Sequence, residues 1–335
     1  MNDLSWLPKF HGFLLVDKPA GMTSQDVITR LQHALIDRSA KTGKPLKKRE
    51  LPAMGHGGTL DPFATGLLVV AVGDGVKLTR YLLGSEKAYA AEVAFGARTA
   101  SGDLTNEIVA RTERLPRDRA ALETAANSFL GGPYLQTPPM YSAKKIEGVP
   151  LYELARKGLE VERAAISCRV PEFTVVDSTS EAKRNGTGIT SARIRARVTS
   201  GTFIRTLAED FAIRMESLAH LTALRRLASG VLSLEAALPL DAFATALDEG
   251  RAWSGLPCFI PFHRAILGIL PRQEISTPTA RKIFAGEVRT LAEMKIEHPG
   301  SVALYAENRL VAIVRDAEGD APRTIERAFT LRFQD

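Results

Sequence analysis

A glycine-rich turn that delivers a single carboxylate to the start of an apolar run constrains this chain most. The stretch is Gly55-His56-Gly57-Gly58-Thr59-Leu60-Asp61-Pro62-Phe63-Ala64-Thr65-Gly66-Leu67-Leu68, and the run continues to Val72. Pro62 fixes its own φ and pushes Asp61 towards extended backbone. The glycines around His56 permit tight or left-handed turns and let a ligand approach the backbone. An acid held rigidly at the mouth of a buried element suits catalysis. By local pattern alone, Asp before Pro is ordinary turn chemistry.

The 335 residues suffice for a substantial core and about two domains. Hydrophobic content of 45% and charged content of 24% are those of a globular protein. No apolar run is long enough to span a membrane, and Met1 to His11 lacks the apolar region of a signal peptide. The formal charge of +6 favours polyanionic partners, nucleic acid first. Cys168 and Cys258 are far apart, and the six histidines are scattered. No disulfide framework, zinc site or other metal centre is expected, and a reducing, cytoplasmic setting is.

Gly12 to Asp17 reads as a strand followed by a Lys18-Pro19-Ala20-Gly21 turn. Ser24 suits the N-cap of a helix carrying Val27, Leu31 and Leu35 on one face. Residues 38–49 hold six basic and no acidic side chains and read as an exposed loop. Tyr89 alternates in phase with Ala91, Val93 and Phe95, a strand period that puts it on their face. Pro116 to Leu130 reads as a helix with Pro116 in its first turn. Arg193, Arg195 and Arg197 alternate with Ile194, Ala196 and Val198 in another strand. Ser200-Gly201-Thr202 then turns into a helix aligning Phe203, Leu207 and Phe211. Periodicity weakens from Leu238 to His263, where a domain junction is expected, and strand-like pieces follow it. These features suggest an α+β catalytic domain with a small β-rich module behind it.

If Thr202 is the N-cap, Arg205 is the third helical residue, a cation facing the positive end of the helix dipole at a cost of about 0.3–1 kcal/mol. A nearby carboxylate would offset that cost. An exposed Arg, or one paired with Glu209 at i+4, is the equal alternative. Tyr89 reads as a core aromatic or as a platform for a nucleobase.

GHGGTLDPFATGLL resembles the motif of the TruB family of tRNA pseudouridine synthases, whose Asp is catalytic; that residue is Asp61 here. Further segments, over roughly residues 10–240, are similar in the expected order. SGTFIRTLAEDFA places Arg205 where the family pairs an Arg with its catalytic Asp. EKAY resembles the Lys-x-Tyr motif, implying Lys87 at the pocket and Tyr89 stacked on the target base. The resemblance places His56 under the flipped nucleotides, Lys18 and Pro19 in the pocket floor, and Asp103 as an RNA contact or a turn cap. QTPPMYSAKK is similar to the start of a mobile thumb, with Lys144 and Lys145 on phosphates. Leu224-Arg225-Arg226-Leu227 resembles the last catalytic-domain motif, implying Leu224 on the uracil and Arg226 as a brace; an amphipathic helix is the plain alternative. Gly57 stands where many bacterial members have Thr.

The resemblance implies a central mixed, largely antiparallel sheet flanked by helices and loops. The implied domains are a catalytic domain over 1–240 with a thumb at about 136–160, a junction over 241–264, and a PUA-like RNA-binding module over 265–335. It implies isomerisation of uridine 55 in the T-loop of tRNA by a cytoplasmic monomer without cofactor, touching T-stem and acceptor stem. Two other readings compete: a non-catalytic RNA-binding or folding protein, and a synthase acting on another RNA. A Walker-type nucleotide hydrolase is excluded, since no Gly-Lys-Ser/Thr follows the glycines.

Overall fold

The structure, a computed structural model, describes residues 11–183, 186–266, 268–316 and 323–329. The expectation for Met1 to Phe10 and the two ends of the C-terminal module's last stretch therefore lie outside the described residues.

Ten strands form one sheet: β1 (Gly12–Lys18), β2 (Met54–His56), β3 (Thr65–Val72), β4 (Lys87–Phe95), β5 (Glu172–Lys183), β6 (Gly186–Val198), β7 (Ala219–Ser229), β8 (Leu232–Ser233), β9 (Leu238–Pro239) and β10 (Phe259–Pro261). The order is β5-β6-β4-β7-β3-β1-β9, with β8 on β7, β10 on β1 and β2 on β3. Only β1–β9 and β7–β3 run parallel. Strand β3 lies at the centre because Gly66 to Val72 are all buried, which requires cover on both faces. On β6, Ile194, Ala196 and Val198 are buried while the alternating arginines are not, as the period requires.

Helix α1 (Ser24–Lys41) packs Val27, Ile28, Leu31 and Leu35 into this core. Its N-cap is Thr23, not Ser24. Thr23 Oγ1 accepts from Asp26 N at 3.1 Å, and Asp26 Oδ2 accepts from Thr23 N at 2.9 Å. Ser24 is freed to accept from Leu60 N at 2.9 Å, which ties the helix start to the glycine-rich turn. The basic stretch 38–49 is only partly loop: α1 continues to Lys41, so Arg38 and Lys41 sit in its last turn, where the dipole favours cations. The helix expected from Pro116 starts at Arg119 and ends at Asn127, because Asp118 caps it by accepting from Ala121 N at 2.9 Å. Residues 224–227 are strand, not helix.

The segment 241–264, expected as a junction, is built into the main body. Helix α3 (Leu240–Asp248) packs on α1, and β9 and β10 flank β1. Trp253 is fully buried, and its indole donates to Phe243 O at 2.8 Å. Two- and three-residue strands and short helices show no period, so composition alone suggested a linker.

Beyond it, β11 (Arg272–Glu274), β12 (Ser301–Ala306), β13 (Arg309–Arg315) and β14 (Thr324–Ala328) form a second sheet in that order. Helix α4 (Thr277–Phe284) and Val302, Leu304, Val311 and Val314 make its own core. The other strand face, with Ala303, Tyr305 and Ile313, joins the main core. Among the described residues no helix is long and apolar enough to cross a membrane.

Candidate active site

The glycine-rich turn is bolted down on three sides. Gly66, second in β3, has φ +98°, and a Cβ there would lie 2.3 Å from Arg226 O across the parallel β7 pairing, so only glycine fits. Arg226, 2% exposed, donates to Leu67 O at 2.7 Å, Gly58 O at 3.1 Å and Thr59 O at 3.4 Å. Lys18, fully buried, donates to Met22 O at 2.7 Å, Pro19 O at 2.8 Å and Pro62 O at 3.3 Å. These two cations hold the loop by its carbonyls, and both are committed to backbone. Burial pushes the Lys18 ammonium down to about 8, with Asp61 resisting.

What the loop presents is Asp61. Arg205 Nε meets Asp61 Oδ2 at 2.9 Å and Arg205 Nη2 donates to Asp61 Oδ1 at 3.2 Å, a two-pronged pair. The Arg205 side chain is 4% exposed and that of Asp61 33%, so one partner is sealed and the other faces open space. Arg205 also donates to Ser101 O at 2.6 Å and Tyr141 O at 2.7 Å. A second acid, Asp103, lies 3.6 Å from its Nη1. Burial raises the Asp61 carboxyl above its usual range; Arg205 opposes that, Asp103 adds to it, and Lys18 opposes it weakly.

Helix α2 (Ile204–Ile213) delivers Arg205. Its N-cap is Phe203 rather than Thr202, whose hydroxyl instead donates to Thr199 O at 2.8 Å, so Arg205 is the second helical residue. It remains in the first turn, and Asp61 answers the unfavourable dipole. No Arg205–Glu209 ion pair forms among the described residues. Glu209 is pushed up to about 7 by burial, with Arg98 opposing and Asp210 adding to it.

Asp103 is 3% exposed and accepts from Ser101 Oγ at 2.7 Å, from Thr105 N at 2.9 Å and from Thr105 Oγ1. These bonds are those of the turn-cap alternative, and they set Asp103 beside Arg205. Lys87 donates to the Leu82, Leu83 and Ser85 carbonyls, closing the short helix Thr79–Leu83. Burial and then Arg226 push it down to about 8. Tyr89 is half-buried on β4, opposite Arg226 of β7 and Ala196 of β6. Leu224, 6% exposed, lies on β7 at the β3 edge. His56 is half-buried on β2; burial and Arg226 both lower its pKa, and its Nδ1 finds no partner among the described residues. Lys144 and Lys145 are exposed near the hairpin Lys145–Ile146/Val149–Pro150, and neither pairs with Asp61.

Sequence reasoning missed three supports of the ion pair: the Ser101 and Tyr141 carbonyls and the Gln136 side chain. Carbonyls carry no residue-type signal. Gln136 acts 67 residues away, on the Phe203 backbone, which no local pattern reveals.

A model of the TruB family pseudouridylate synthase N-terminal domain matches residues 46–204. The tRNA pseudouridine synthase B of Burkholderia lata is 34% identical over 322 residues, covering 92% of this chain and 87% of that protein. That of Cupriavidus metallidurans is 38% identical over 318 residues, covering 92% and 91%. Among solved structures, a Cbf5-Nop10-Gar1 complex superposes with a TM-score of 0.68 at 21% identity, over 98% of this chain and 88% of that one. An H/ACA RNP bound to a substrate RNA containing 2′-deoxyuridine gives 0.65 at 19%, over 99% and 88%. At those identities the structures speak for the fold alone. The relatives, similar to this chain along nearly their whole length, settle the family: this chain belongs to the TruB pseudouridylate synthases.

Proposed function

We propose that the chain isomerises uridine to pseudouridine at position 55 in the tRNA T-loop, with Asp61 as the catalytic carboxylate. The observation that carries this is the asymmetry of the Asp61–Arg205 pair: a sealed guanidinium holding an acid that is itself open to a ligand. Arg205 is always charged, so it favours the ionised form of an acid that burial would otherwise protonate.

The reaction breaks the bond from uracil N1 to ribose C1′, turns the base and joins C5 to C1′. The C5 proton leaves and N1 gains one, so atoms and electrons balance without an outside reactant. An ionised Asp61 serves as nucleophile, as base towards the ribosyl group, or as counter-charge at C1′. The uridine must first leave its stack, which costs a few kcal/mol. Tyr89 would stack on the everted base for about 1–3 kcal/mol. Leu224 would cover its other side, and His56, uncharged, would lie under the flipped nucleotides. Lys18, Lys87 and Arg226 would shape the pocket from behind. Lys144 and Lys145, with Arg156 and Lys157, would take T-stem phosphates, adding affinity without sequence choice. The second sheet would act as a PUA-like holder of the acceptor stem. A monomer working in the cytoplasm fits a substrate of this kind.

A synthase acting on another RNA with partner proteins is the second reading, because the superposed structures are a Cbf5-Nop10-Gar1 complex and an H/ACA RNP bound to a substrate RNA. Relatives at 33–41% identity, each a tRNA pseudouridine synthase B, favour tRNA. Incubating the purified protein with unmodified tRNA and mapping pseudouridine decides between them. Wild type should modify position 55. Asp61→Asn should bind tRNA within about threefold of wild type, since Asp61 neutralises no phosphate, and should make no product. Product from that variant, or modification elsewhere only, would overturn the assignment.

A further inference from the structure

The short antiparallel pair Tyr134–Gln136 and Ile166–Cys168 is where the chain leaves for the thumb and returns from it. Gln136 is 1% exposed and lies against the start of α2. Its Oε1 accepts from Phe203 N at 2.7 Å, and its Nε2 donates to Phe203 O at 2.9 Å. One side chain therefore satisfies both backbone groups of the N-cap residue, which has no side-chain cap of its own. The amide's orientation is fixed by those two groups, since a flip would set donor against donor.

The same strand grips α2 a second time. Tyr134, 7% exposed, gives its hydroxyl proton to the Asp210 carboxylate on α2 and accepts from Gln136 Nε2 at 3.1 Å. Five residues beyond Gln136, the Tyr141 carbonyl takes a hydrogen bond from Arg205 itself at 2.7 Å. The root of the thumb thus touches α2 at its N-cap, at its last turns and at the guanidinium that holds Asp61.

We propose that Gln136 is a positioning residue for the isomerisation: by clamping the Phe203 backbone from the thumb root, it sets Arg205 in register with Asp61. This rests on the reading of Asp61 as the catalytic acid. A cap that only stabilised the fold would not need to sit on the strand that carries the thumb. Here any pull on residues 137–165 reaches α2 through the Gln136 amide.

The test is single-turnover pseudouridine formation on a T-loop hairpin across pH, for wild type, Gln136→Leu and Tyr134→Phe. Gln136→Leu keeps the volume and removes both bonds to Phe203. Its rate should fall about 10- to 100-fold, the scale of a misplaced catalytic group, while hairpin affinity stays within about twofold. Its acid limb should move to higher pH, because a slack guanidinium stabilises the ionised carboxylate less. Tyr134→Phe should show the same upward shift and a smaller loss. A Gln136→Leu protein that melts cooperatively, turns over at the wild-type rate and keeps its acid limb would reduce the clamp to a structural cap and overturn the proposal. If Gln136→Leu does not fold, Tyr134→Phe decides: an unmoved limb and unchanged rate overturn it, and a shifted limb upholds it. Failure of wild type to form pseudouridine would instead remove the reading of Asp61.

Discussion

Two of the carboxylates that arginine holds in this molecule, Asp61 and Glu326, are held for opposite ends. Asp61 faces one guanidinium and stays a third exposed. Glu326, on β14, has a side chain only 7% exposed and is held from every side. Arg80 lies at 3.0 Å and Arg315 at 2.8 Å, while the Tyr81 and Ser301 hydroxyls each donate at 2.8 Å. Burial alone would raise both acids. At Glu326 the bonds from Ser301, Arg315 and Tyr81 overwhelm it and drive the carboxyl down to about 2; at Asp61 burial wins, aided by Asp103. Arg80 and Tyr81 belong to the catalytic body, so Glu326 is a rivet between it and the second sheet. A fully satisfied carboxylate fixes structure, whereas an under-satisfied one keeps reactivity in reserve.

The sharpest way to break this contrast is Arg205→Lys. Lysine keeps a charge but cannot reach Asp61 with two prongs and the Ser101 and Tyr141 carbonyls at once. Turnover should fall about 100-fold or more, as expected when a catalytic group loses its register. Near wild-type single-turnover kinetics would show that the fork is not what holds the acid. The equivalent change at the rivet should spare chemistry. Glu326→Gln should lower unfolding free energy by about 1–3 kcal/mol, read from denaturant titration, because the charge leaves while Arg80 and Arg315 are partly solvated. Turnover on a T-loop hairpin should be unchanged. Since the folded carboxyl lies near 2 against an ordinary 4.5, its contribution is complete above pH 4.5 and disappears as pH falls towards 2. Wild type should lose roughly 3 kcal/mol more than Glu326→Gln across that window.

The two sites also differ in how far the sequence announces them. The Asp61 loop is local: glycines, Asp-Pro and an apolar run are contiguous, and the arginine that answers them follows a Ser-Gly-Thr turn. Strand periods placed Tyr89 and the β6 arginines correctly, because alternation records burial directly. Glu326 gave no signal. Its partners lie 245 residues away at Tyr81 and 25 away at Ser301, and an acid in a strand of mostly exposed residues reads as surface. The neighbours of Asp103 were equally silent, since Leu221 and Arg205 reach it only through the fold. Segment 241–264 misled because its proline-bounded pieces are too short to show a period, although β1 needed both of its short neighbours to complete the sheet edge.

Asp103→Asn should have the smallest effect and tests the comparison most finely. Asp103 pushes the Asp61 carboxyl up as a neighbouring like charge and also competes for Arg205 from 3.6 Å. Asparagine keeps an oxygen for Thr105 N, so the turn should survive, but the competing charge is gone. Asp61 must be ionised to act, and its folded value lies above the ordinary 3.8, so activity is lost as pH falls through that raised value. Removing the second acid should move the acid limb of the single-turnover profile to lower pH, by less than about one unit, with the plateau rate within about twofold. A limb that stays in place would mean that burial alone sets Asp61. A limb that climbs would mean that Asp103 orients Arg205 more than it repels Asp61, and the two acids would then have to be regarded as partners rather than rivals for one guanidinium.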